Sequence, residues 1–198
     1  MNEAAKQLSK SLFDAGCVQF GAFTLKSGIT SPIYIDLRLL VSYPALLRQV
    51  TKTMAEITRR LQFDRIAAIP YGGLPIGVAL ALELERSLIY LRQEVKEHGT
   101  QRQIEGAFKN GETVLLVDDL ITHGDSKLEA IESLAAAGLT VRDVLVLIDR
   151  EQGGAQDLAI AGYRLHAVLQ LTGMLNALQV YGCIATAQYV DVLRYLES

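Results

Sequence analysis

Cysteine is scarce: the chain has two, Cys17 and Cys183, far apart and with no metal-ligand spacing. They support neither a disulfide framework nor a zinc site, and two reduced thiols in a cytoplasmic protein is the expectation they leave. There is no block of Lys and Arg, and the formal net charge is −3. That argues against a nucleic-acid partner, because binding a phosphate backbone needs a concentrated positive surface. No run of ~20 apolar residues is present to cross a membrane. The polar start MNEAAKQLSK has no apolar signal core. Neither nucleic acid nor membrane is therefore expected as a partner. Two phosphate-binding signatures are also missing, G-x-x-x-x-G-K-[ST] and a G-x-G-x-x-G behind a strand. Internal repeats and low-complexity segments are absent. What is there is 198 residues, half of them apolar. That is enough for a single α/β domain over 1–198 with a small appendage.

The chain is organised around TVLLVDDLITHGDSK, Thr113 to Lys127. Thr113 to Val117 is too short for a helix and rich in Val and Leu, which predicts a strand buried on both faces. At its end stand Asp118 and Asp119, then the small polar loop from Thr122 to Ser126, then a helical pattern. An adjacent acidic pair is often only a solvated turn or a helix cap. Here it follows a buried run and precedes Thr, Gly and Ser in one loop, at the edge where open α/β sheets bind ligands. Two carboxylates there can accept hydrogen bonds from vicinal ribose hydroxyls, stabilise a positive ribose ring, or hold hydrated Mg²⁺ nearby. The loop and helix start offer N–H groups and a positive dipole end to a phosphate.

Around this centre the periodicities predict a surface helix over 3–15 closed by Gly16, and two strands from Val18 to Arg38 with a turn at Ser27-Gly28. A helix is predicted over about 44–61, a strand at Ile66 to Pro70, a glycine loop at Gly72-Gly73, a helix over about 75–85 and a strand at Leu88 to Leu91. The charged stretch from Arg92 to Gly106 reads as a solvated hairpin or as a mobile loop that closes over a leaving group. After Gly138 come a strand from Val144 to Arg150, a helix at 154–161, a strand at 165–169 and helices at 171–179 and 184–197. Arg150, at a strand end, is either half of a structural salt bridge or a fork facing a carboxylate. His166 reads as a satisfied structural histidine, Met174 and Leu178 as core.

The acidic pair with its Thr/Gly loop resembles the phosphoribosyl-diphosphate (PRPP) signature of the type I phosphoribosyltransferases. FTLKSG followed by SPIYIDLR resembles the N-terminal segment of orotate phosphoribosyltransferases, including the transferase half of the bifunctional enzymes that make uridine monophosphate. The 92–106 stretch resembles that family's catalytic loop, and DREQGG is similar to the bifunctional enzymes' transferase half. Four motifs occur in the expected order from about Phe20 to Leu178. The resemblance implies a fold with a central, mostly parallel sheet of about five strands flanked by helices. A small N-terminal hood over about 1–40 would cover a core over about 41–198, with no decarboxylase domain expected.

It further implies the reaction of orotate with PRPP to orotidine 5′-monophosphate and diphosphate, with Mg²⁺ held mainly by PRPP, near Asp118 and Asp119. Asp118, Asp119 and Lys96 are the implied catalytic groups. Thr122, Gly124, Asp125 and Ser126 would hold the 5′-phosphate, Arg92 and His98 the diphosphate, and Lys26 and Arg150 the base and its surroundings. The family's loop implies a homodimer with active sites shared through residues 92–106. Three positions depart from the pattern: Gln93 for Lys, Gly72 for the Lys of many orotate enzymes, and Asp125 for Gly, Ser or Thr. Asp125 would point away from the phosphate, cap the following helix as a favoured N-cap, or weaken binding. The competing readings are a transferase for another base and a non-catalytic regulator that senses PRPP or a nucleotide.

Overall fold

Alternating side chains along the strands divide the core in two. In the computed structural model, which describes residues 1–24, 28–92 and 103–197, a six-stranded sheet runs in the order β5-β4-β3-β6-β7-β8. The strands are β3 (Arg65–Ala68), β4 (Leu88–Leu91), β5 (Ile104–Glu105), β6 (Thr113–Ile121), β7 (Thr140–Asp149) and β8 (Arg164–Gln170). All neighbours are parallel except β5, which pairs antiparallel to β4 at the edge. β1 (Val18–Thr24) and β2 (Thr30–Ile35) form a separate antiparallel ribbon.

On one face, Leu115, Val117, Leu145 and Leu147 join a cluster with Leu8 and Leu12 of α1 (Glu3–Asp14) and Val50 and Met54 of α2 (Pro44–Thr58). Ile76 and Leu80 of α3 (Gly73–Leu84), Met174 and Leu178 of α6 (Leu171–Val180) and Val192 of α7 (Thr186–Leu196) complete it. On the other face, Val114, Leu116, Val144 and Val146 meet Ile131 and Leu134 of α4 (Asp125–Ala136) and Leu158 of α5 (Gly154–Ile160). Strand side chains at i and i+2 share a face, so one apolar run supplies both clusters. α1 packs on α6, and α7 packs on β2, which ties the ribbon to the main body. At the amino ends, Arg65 pairs Glu112 at 2.7 and 2.5 Å, and Asp64 accepts the Thr113 N–H at 2.8 Å, fixing the register of β3 against β6.

The α/β class and the mostly parallel sheet agree with expectation; several details are corrected. The sheet has six strands, because a two-residue strand inside a polar stretch shows no periodicity of its own. β6 continues through both carboxylates, with Asp118 opposite Val146 and Leu120 opposite Ile148. β7 begins at Thr140 instead of Val144. β2 stops at Ile35, where Asp36 accepts the Arg38 N–H and starts a 3₁₀ turn over Leu37–Ser42. His166 is satisfied as expected, its Nε2 lying 2.7 Å from Asp143, and Met174 and Leu178 are fully buried. Both cysteines are free. Among the described residues no helix is long and apolar enough to cross a membrane.

Leu12 is fully enclosed in the cluster that α1 shares with the sheet. Leu12→Ala should therefore cost about 2–5 kcal/mol of stability by urea denaturation, the range for emptying a packed core position. A surface-docked helix would lose far less.

Candidate active site

Three strands deliver loops to one edge. β3 runs through Ile69–Gly72 into α3, β6 through Thr122–Gly124 into α4, and β7 through Arg150–Gly153 into α5. Backbone bonds lock the three together: Ile69 N–H to Val117 O at 3.0 Å, Arg150 N–H to Ile121 O at 2.9 Å and Gly154 N–H to Thr122 O at 3.0 Å. The Pro70–Tyr71 peptide is cis.

Missing side chains let the first loop press against the acidic pair. A Cβ on Gly73 would stand 2.8 Å from the Cα of Asp118 and 2.9 Å from Val117 O. A Cβ on Gly72 would stand 2.0 Å from Asp119 Oδ2. The glycine found where many orotate enzymes carry Lys is thus the residue that leaves room for the Asp119 carboxylate as it sits here.

The two carboxylates differ. Asp118 is buried; its Oδ2 lies 2.6 Å from Lys127 Nζ, and its Oδ1 accepts the Asp119 N–H at 2.8 Å. Asp119 is only partly buried, and its Oδ1 accepts the Leu120 N–H at 2.8 Å. Burial, then the neighbouring Asp118 charge and hydrogen bond, push the Asp119 carboxyl up from 3.8 to about 7. The Leu120 N–H and the Lys127 charge pull it back only in part.

In the second loop, Gly124 is buried and its N–H is taken by Asp157 Oδ2 of α5 at 2.9 Å. A Cβ there would meet the Asp157 Cβ at 2.6 Å, so packing against α5 already demands this glycine. Thr122 is half-buried, Asp125 and Ser126 exposed. The helix-cap expectation for Asp125 is corrected: the N-cap is Gly124, without a side-chain bond, and Asp125 is the first residue of α4. As an acid in the first turn it still lies favourably in the helix dipole.

In the third loop, Arg150 is partly buried, and burial lowers its pKa, with Tyr195 of α7 opposing as a hydrogen-bond partner. Among the described residues its Nε and the Gln152 Oε1 are buried without a hydrogen-bond partner. Arg92 pairs with Glu105, and its N–H donates to Gln103 O at 2.8 Å. Lys26, Gln93, Lys96 and His98 lie outside the described residues. The structure thus gathers Asp118, Asp119, Thr122, Gly124, Asp125, Ser126 and Arg150 at one edge.

It also adds Lys127, Asp157 and Tyr195. Lys127 had a signal: with Ile131 and Leu134 it occupies the buried stripe of α4, where a lysine needs a partner. Asp157 had none, standing 33 residues from the loop it supports.

Helices flanking a mostly parallel sheet, with an acidic strand end against a glycine loop, form the kind of edge at which open α/β folds bind ligands. The phosphoribosyl transferase domain family matches residues 40–162. An orotate phosphoribosyltransferase of Pyrobaculum islandicum is 40% identical over 188 residues, 94% of this chain and 96% of that one. A bifunctional PyrF/PyrE enzyme of a Nostoc species is 45% identical over 179 residues, 90% of this chain. The solved UMP synthase of Leishmania donovani superposes with a TM-score of 0.91 at 44% identity over 98% of this chain, and the orotate phosphoribosyltransferase of Aeropyrum pernix with 0.78 at 36% over 90% of this chain and 99% of that one. The chain belongs to the phosphoribosyltransferase family, and within it to the orotate phosphoribosyltransferases. It spans 38% of the Nostoc protein and 42% of the Leishmania protein.

The two glycines should answer differently to alanine. Gly73→Ala meets backbone and should lower the melting temperature markedly. Gly72→Ala meets the end of a rotatable side chain, so the fold should survive while Asp119 is displaced. Calorimetry of both variants reads the contrast.

The raised Asp119 value also has a stability consequence. Between the ordinary value of 3.8 and about 7 the folded protein holds a proton that the unfolded chain has lost. The contribution is therefore greatest at low pH and disappears as pH rises through about 7. Asp119→Asn should match the parent in melting temperature near pH 4 and exceed it at pH 8.

Proposed function

We propose that the chain transfers the phosphoribosyl group of PRPP to orotate. The bond from the anomeric carbon to the diphosphate breaks, a bond from that carbon to the ring nitrogen of orotate forms, and diphosphate leaves. The nitrogen's proton goes to solvent or to a base. The observation that carries the reading is the packing of the Asp118–Asp119 pair directly on Gly72–Gly73, which sets acceptors for ribose hydroxyls beside a close-approach backbone loop. The names of the full-length archaeal relatives point to orotate as the base.

Asp119 offers an oxygen to the ribose hydroxyls and to positive charge growing on the ring. The amino end of α4, with Thr122 and Ser126, receives the 5′-phosphate, and that of α3 receives part of the diphosphate. Arg150 Nε is a buried donor without a partner and Gln152 Oε1 a buried acceptor without one. A carboxylate beside a ring N–H, as in orotate, can satisfy such a pair. Lys26, Lys96, Arg92 and His98 take the roles that family resemblance gives them, around base and diphosphate. Arg92 would have to exchange its Glu105 partner for the diphosphate. Among the described residues no three side chains form a metal cage. The hard carboxylate oxygens at this edge fit a hydrated Mg²⁺ brought by PRPP's own oxygens. That ion would neutralise diphosphate charge. We further read the working unit as a homodimer sharing sites through residues 92–106, acting in the cytoplasm.

One observation favours a PRPP sensor without turnover: Asp125 places an exposed carboxylate at the helix start proposed for the phosphate. Loss of orotate absorbance on mixing with PRPP and Mg²⁺ separates the two readings. The parent should consume orotate, with Lys96→Ala and Asp119→Asn slower by about 10²-fold or more, the cost of losing a transition-state charge partner. A parent that binds PRPP by calorimetry but consumes no orotate would be the sensor.

A further inference from the structure

We infer that Lys127 is a positioning residue for PRPP: its buried ammonium holds Asp118 against the start of α4 and so sets the carboxylate pair at a fixed distance from the phosphate-binding turn. Lys127 is 4% exposed. An ammonium has three donors, and each has an acceptor here: Asp118 Oδ2 at 2.6 Å, Leu120 O at 2.7 Å and Ser126 Oγ at 3.3 Å. The group is thus saturated and cannot itself reach a ligand. Two acceptors lie on the end of β6 and one on the first turn of α4. The cation is therefore a staple between the strand that carries the acids and the helix end that faces phosphate.

The staple also divides the work of the acidic pair. Both Asp118 oxygens are engaged, one by Lys127 and one by the Asp119 N–H. Asp119 Oδ1 is engaged by the Leu120 N–H. Asp119 Oδ2 stands in the space that Gly72 leaves. Lys127 thereby acts through Asp118 on the placement of Asp119, the carboxylate turned to the ribose.

This inference rests on the PRPP-binding half of the proposed function. Its test measures PRPP affinity by calorimetry with Mg²⁺, apart from orotate turnover, in the parent, Lys127→Met, Lys127→Arg, Asp118→Asn and the double variant Asp118→Asn/Lys127→Met. Lys127→Met should weaken PRPP binding about tenfold or more, the worth of one charge-assisted hydrogen bond, while the KM for orotate moves less. Lys127→Arg should recover part of the loss. The double variant should bind PRPP no worse than Asp118→Asn alone, because the two residues act as one unit. A folded Lys127→Met that binds PRPP within about twofold of the parent would overturn the inference. So would a double variant whose defect is the product of the single ones. If Lys127→Met does not fold, Lys127→Arg and the double variant decide: the double variant buries no lone charge, and a folded one that binds PRPP within about twofold of the parent overturns the inference. A parent that binds PRPP without consuming orotate ends the transferase reading and leaves the Lys127 comparison intact; one that binds no PRPP ends both.

Discussion

A carboxylate inside a buried strand needs a counter-charge in contact, and the pairing of Asp118 with Lys127 meets that need at the centre of this fold. Removing either partner of such a pair from a protein interior costs about 3–5 kcal/mol. Because the pair is closed locally, β6 can keep its ladder with β7 through Asp118 and on to Ile121. The strand therefore reaches the ligand edge with its acidic residues on a rigid element. Short polar loops then take over, with Ile69 and Arg150 bonded to the end of β6 and Gly154 to Thr122.

The second organising feature is the absence of side chains. Gly72, Gly73, Gly124 and Gly154 stand where a Cβ would strike a carboxylate, a neighbouring aspartate or Ile121. Each contact joins two of the three strand–loop–helix units. The edge behaves as one unit: displacing any loop disturbs an acidic group or the glycine that accommodates it. The same logic extends to the end of β7, where Tyr195 of α7 reaches Arg150 while α7 also packs on the β1–β2 ribbon. One helix thus connects the ribbon with the arginine at the end of β7.

Much of this was legible in the sequence because it rests on local patterns. The buried run of β6, the acidic pair and the helix after it are contiguous, and period-two and period-3.6 signals place them without tertiary information. The missed parts depend on contacts between distant segments. Asp157 captures Gly124 from another helix, and β5 is a strand only because β4 lies beside it. Asp125 illustrates a different limit: Asp is a good cap in general, but the helix begins one residue earlier than capping statistics favour, with the buried Gly124 as its cap. Lys127 was readable as a lysine on an apolar stripe, yet only geometry shows which carboxylate it meets.

The pairing of β4 with β5 carries a consequence for sequence change. Leu91 lies opposite Ile104, and the Arg92 N–H meets Gln103 O at 2.8 Å, with the Arg92–Glu105 ion pair beside it. Arg92 and Gln103, the residues on either side of 93–102, are thus held side by side by a backbone bond, like thread drawn through one eyelet. Closing such a loop depends on its length only logarithmically, about 0.6 kcal/mol for each doubling. The pairing of β4 with β5 therefore asks little of the length of chain between its two feet.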